Sequence, residues 1–124
     1  MKPADVIEMK TYIGENTGAG PQKVVVNTMR TLEGIDTHHP GGYELPLNPS
    51  LALYNHSPSG FQWGYAGSGP AQLALAILLD LTGDPELSVK LHQDFKREFL
   101  AVDGKLVILE PEIREWLEAN KEVI

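Results

Sequence analysis

Residues 55–80 read NHSPSGFQWGYAGSGPAQLALAILLD, and the change from loop to helix inside them sets the fold. The stretch opens as a polar, turn-rich loop, crosses Gly64, Gly67 and Gly69, and turns apolar just after Pro70. Glycine permits backbone angles and close approaches that a Cβ forbids. Proline suits the first turn of a helix, where its missing N–H is no loss. The pattern predicts a shaped loop feeding a helix over residues 70–82, with Gly69 as N-cap and Gln72 reaching back to that cap. Residues 73–79 (LALAILL) are apolar nearly all round, so this helix is expected to be central and buried. Gly83 ends it.

Downstream, Asp84 caps a second helix with Pro85 at its first position, and that helix runs to about residue 101. Leu87, Leu91, Phe95 and Phe99 recur every four residues as its buried stripe. A turn at residues 102–105 leads to a short strand over 105–109. Glu110 and Pro111 then open a last helix with Ile113, Trp116 and Leu117 facing inward. Upstream, KTYIG at residues 10–14 suits a short strand, and KVVVNTMRTL at residues 23–32 is rich in β-branched side chains that fit a pleated surface. Val24, Val26, Thr28 and Arg30 share one face of that strand; Val25, Asn27, Met29 and Thr31 share the other. Residues 43–53 read as extended at best, since Pro46 and Pro49 confine them to a sheet edge. Residues 1–9 read as a poorly ordered lead-in. The expectation is one α+β domain over residues 1–124, a small, mostly N-terminal antiparallel sheet packed on two to three C-terminal helices.

Composition narrows the function classes. A chain of 124 residues can bury a single core. It has no cysteine, so disulfides and thiolate chemistry are excluded. No apolar run approaches the ~20 residues of a membrane-spanning helix, and the N-terminus lacks a secretory apolar segment; a cytoplasmic location is expected. The formal net charge is −7, with four bases against six acids in residues 1–62 and six against eleven in 63–124. Nucleic-acid affinity rests largely on phosphate neutralisation by Lys and Arg, so this balance argues against a nucleic-acid partner.

The glycine loop is not a phosphate loop of the Walker type, because it lacks the Gly-Lys-Ser/Thr ending. Nor does it sit in a dinucleotide-binding strand–glycine–helix unit. Two readings of it stay open. A helix N-terminus exposes N–H groups that favour an anion, and Asn55, His56, Trp63, Tyr65, Gly67, Ser68, Gly69 and Gln72 would then contact a small anionic ligand such as a nucleotide. Otherwise the glycines let Trp63 and Tyr65 fold over the buried helix. Phe61, Trp63 and Tyr65 alternate at strand spacing and could stack a base or pack on that helix, and Lys96 and Arg97 are the bases nearest to hand for a phosphate. His56 beside Ser57 suggests a proton carrier and nucleophile, but adjacent residues of an extended chain point apart. Asp80, the available acid, lies about three helical turns from the loop. His38 and His39 with Asp36 offer adjacent metal ligands without a spaced third one. No catalytic residue, metal or cofactor is assigned.

The quoted residues resemble a family of small prokaryotic and phage proteins classed as a domain of unknown function. That family carries an N-terminal β-hairpin, an element close to the 55–80 stretch, a helix like LHQDFKREFL at residues 91–100, and a closing helix like EIREWLE at residues 112–118. The likeness spans roughly residues 43–117. The lead-in and the loop at 35–42 are longer here than that family's compact hairpin. The resemblance implies a compact α+β domain and an origin in phages or mobile elements, and it supplies no activity. It favours a non-catalytic interaction protein that binds and modulates a host protein, with the acidic helix of Glu112, Glu115 and Glu118 as one docking surface. The alternative is a small-ligand binder using the glycine loop. A homodimer is compatible with either.

Overall fold

A computed structural model describes residues 6–18, 20–32, 35–36 and 41–120. The elements run β1 (Val6–Gly14), β2 (Val24–Leu32), β3 (Ile35–Asp36), β4 (Gly41–Glu44), α1 (Asn48–Leu53), α2 (Ser68–Thr82), α3 (Pro85–Phe99), β5 (Leu106–Leu109) and α4 (Glu110–Ala119). The fold is α+β, as expected.

All strand pairings are antiparallel. β1 lies between β2 and β5, with Tyr12 opposite Val26 on one side and Ile108 on the other. The far edge of β2 is shared by β4, which pairs Val25–Thr28, and by β3, which pairs Thr31 and Leu32. β1 begins at Val6, four residues before the expected KTYIG strand. The whole of β2 offers it a partner, so residues 6–9 of the anticipated lead-in are strand.

The alternation predicted for β2 holds where its side chains are described. Val24 and Val26 are buried, while Val25 and Met29 are exposed. The inner face of the sheet, with Tyr12, Leu106 and Ile108, packs on α2, and Leu73, Ala74, Ile77 and Leu78 of that helix join one cluster with Leu91, Phe95, Leu100 and Ile113. A continuous burial of α2 from Gly69 to Leu78 accounts for its all-round apolar sequence.

Two boundaries differ from expectation. Residues 48–53 are helical rather than extended: Pro49 stands in the first turn of α1, where no N–H is needed. The N-cap of α2 is Gly67, not Gly69, and Ala71 N–H bonds Gly67 O at 3.1 Å. Pro70 is still inside the first turn, among the residues whose N–H groups have no helical partner. α3 starts as read, with Asp84 accepting from Leu87 N–H at 3.1 Å.

Candidate functional site

The loop before α2 is shaped by contacts that need glycine. A Cβ on Gly14 would stand 2.5 Å from the Trp63 ring, and one on Gly69 would stand 2.6 Å from Gln62 Cβ. The outer end of the Trp63 ring is therefore packed against Gly14 of β1, and its Nε1–H donates to Gly104 O at 2.7 Å. Trp63 and Phe61 are buried, so neither ring is free to stack on a ligand. Of the three alternating aromatics only Tyr65, 52% exposed, faces solvent.

Gln72 also leaves the expected ligand set. Its side chain is fully buried and does not reach back to the cap. Its Oε1 accepts from the N–H groups of His56 at 2.7 Å and Ser57 at 3.0 Å, and its Nε2 donates to Ser50 Oγ at 2.8 Å. A buried amide is costly unless all its bonds are made, and these bonds clip α1 and the following loop onto α2. Ser57 Oγ closes the same loop by donating to Gly60 O at 2.8 Å.

What remains of the anion reading is a shallow cleft of about 260 Å³ at the α2 N-terminus. Ser57, Ser59, Gln62, Tyr65, Ser68 and Gly69 line it. Of the expected residues, Tyr65, Ser68 and Gly69 come together there, Gly67 is the adjoining cap, and Asn55 is exposed on the loop. Lys96 and Arg97 are not among its lining residues, and Arg97 pairs with Asp94.

His56 points elsewhere. Its Nε2 stands 2.9 Å from Nε2 of His92, a buried residue of α3, and Tyr54 stacks on its ring at 4.2 Å between centroids. Desolvation lowers the pKa of both imidazoles, with Lys96 adding repulsion to each. His92 carried no signal in the sequence beyond its place one residue past the Leu91 stripe position.

A second unforeseen cluster sits at the far end of α2. Asp80 accepts from Tyr12 Oη at 2.7 Å and from Tyr43 Oη at 2.8 Å, and Lys10 Nζ stands 3.3 Å from its Oδ2. Lys10 N–H donates to Glu110 Oε1 at 2.9 Å. The group ties β1 and β4 to α2 and α4. Burial and the Asp80 carboxylate raise the Tyr12 hydroxyl far above the ordinary tyrosine range. The separation of Asp80 from the glycine loop, expected from the helix length, is thus matched by a structural task.

The outer face of the sheet carries a group of exposed apolar side chains. Met9, Val25, Met29, Val107 and Leu109 are between 41% and 50% exposed there. The register sets Ile13 between Val25 and Val107, Thr11 between Asn27 and Leu109, and Met9 opposite Met29. Among the described strand side chains of this face, Glu44 is the sole charge.

Residues 26–119 match DUF6166, a family of unknown function. The chain belongs to this family. The DUF6166 match takes in α1 through α4, the cleft residues from Ser57 to Gly69, His56, His92 and Asp80, and begins inside β2. No characterised protein and no solved structure matches the chain. No group of three or more His, Asp or Glu among the described residues is placed to hold a metal. His38 and His39 lie outside those residues, as does the side chain of Asp36. No helix among the described residues is long and apolar enough to cross a membrane.

Proposed function

We propose that this chain is a non-catalytic interaction protein that docks another protein on the outer face of its sheet. The observation that carries the reading is the nearly uncharged apolar surface of Met9, Ile13, Val25, Met29, Val107 and Leu109 on a chain of net charge −7. Contiguous exposed apolar patches on soluble proteins mark interaction sites, and interface centres are depleted in charge. The partner it suits presents an apolar, uncharged patch of its own. The mobile-element origin implied by the resemblance makes that partner a host protein. Affinity capture followed by Val25→Lys and Met29→Lys tests this. Both substitutions are expected to abolish capture without loss of folding, while Ser68→Ala leaves it intact. Capture indifferent to both lysines, or lost only on charge reversal at Glu112 and Glu115, would move the docking surface off the sheet.

The cleft at the α2 N-terminus supports a second reading, a binder of a small phosphate-bearing ligand. Ser68, Tyr65 and Gln62 supply donors beside the positive end of a 15-residue helix. Thermal unfolding against nucleotides and inorganic phosphate tests it, since a ligand at 100 times its Kd adds about 2.7 kcal/mol. A shift lost in Ser68→Ala supports this reading; no shift with any of them removes it.

A further inference from the structure

His92 donates its Nδ1–H to Val89 O, 2.6 Å away, because a carbonyl can only accept. In the neutral ring its Nε2 is then bare. His56 Nε2 faces that nitrogen at 2.9 Å, so it carries the hydrogen and donates. The ring centroids stand 5.0 Å apart, further than the nitrogens by about one ring's width. Each nitrogen therefore points along its own ring axis at the other. Two imidazoles chelating one ion point at the ion instead, so this is the geometry of a shared proton.

We propose that His56 and His92 form a proton-operated latch that holds the loop after α1 against α3 and releases it in acid. The pair accommodates three ring hydrogens: one on His92 Nδ1, one on His56 Nδ1, and one shared between the two Nε2 atoms. A fourth puts N–H against N–H at 2.9 Å, and the contact breaks. The surroundings oppose the added charge. α3 presents Lys96 to both rings, Tyr54 just past α1 stacks on His56, and α2 contributes the neutral amide of Gln72 to the adjoining backbone. On His92 the backbone carbonyls of Val89 and Ser88 offset part of this opposition. Release withdraws the His56 and Tyr54 rings from α3 and uncovers His92, while Gln72 keeps the His56 and Ser57 backbone on α2. The latch does not depend on which partner or ligand the protein binds.

Nuclear magnetic resonance of the full chain, following ring nitrogens and ring–ring cross-peaks against pH, tests the proposal. The two rings are expected to titrate in two separated, coupled steps. The His56–His92 and Tyr54–His92 cross-peaks disappear with the second step, and the open population rises about tenfold per pH unit until it saturates. In His56→Gln, whose amide N–H can still donate to His92, the second step is absent and the Tyr54–His92 contact persists in acid. The latch is overturned if both rings titrate independently in the ordinary histidine range. It is overturned too if the cross-peaks survive full protonation, or if Zn²⁺ alone shifts both rings together at one equivalent.

Discussion

Asp80 Oδ2 accepts the hydroxyl hydrogen of Tyr12 at 2.7 Å across 68 residues of sequence, joining the middle strand of the sheet to the last turn of the central helix. Tyr43 and Lys10 converge on the same carboxylate. Hydrogen bonds to a charged acceptor contribute about 1.5–3 kcal/mol. Tyr12→Phe is expected to destabilise the fold by that amount in urea denaturation, and Tyr43→Phe, at an exposed position, by less.

The same contact predicts an alkaline limit. The Tyr12 hydroxyl is raised far above the usual tyrosine value by burial and by Asp80, whereas in the unfolded chain it ionises normally. The stability it contributes is complete below about pH 10, the unfolded value, and is lost as pH rises beyond it. Stability measured across that range should fall, and Tyr12→Phe should flatten the decline.

At the acid end the sign reverses. His56 and His92 have lowered pKa values in the folded state, chiefly through desolvation. The unfolded chain binds more protons once pH drops below about 6.5, so stability is present above that value and is lost as pH falls through the folded pKa values. His92→Gln should remove most of this slope in denaturant titrations at successive pH values.

Gln72→Leu removes the acceptor for two backbone N–H groups and the donor to Ser50. A buried polar group left unsatisfied costs about 1–3 kcal/mol. The variant is expected to lose at least that much and to show faster amide exchange at His56 and Ser57, with the sheet amides unchanged relative to global stability.

Gly14→Ala places a methyl against a Trp63 ring that cannot retreat, because Nε1 is bonded to Gly104 O and the ring is buried. Overpacking of this kind costs about 1–3 kcal/mol. Denaturation should report the loss, and tryptophan emission should move toward that of a hydrated indole.

Much of this fold was legible because its signals are local. The all-apolar LALAILL run, the Asp84–Pro85 cap and the four-residue stripe of α3 each specify an element without reference to the rest of the chain. The misreadings came where one residue type serves two purposes. Pro49 starts α1 but equally marks a sheet edge, and Gln72 at cap-box spacing is instead a buried clip for a loop sixteen residues earlier. The ligand set shrank for the same reason: Trp63 beside three glycines suits a stacking platform, and only its contact with Gly14 shows that the ring is covered. Asp80 with Tyr12 and Tyr43, and His56 with His92, join residues far apart in the chain, and no periodicity announces such pairs.

The position of β5 has a bearing on how the molecule is made. Thr11 and Leu109 are neighbours in one sheet, so β1 acquires its second flank only when residues 106–109 are available. Contacts of such long sequence separation are slow to form, because the loop-closure entropy must be met first. During synthesis the β1–β2 hairpin would wait with one open edge until residues 106–109 leave the ribosome. Completion of the sheet is thus a late event, and a chain cut short before β5 would present that edge to whatever strand came next.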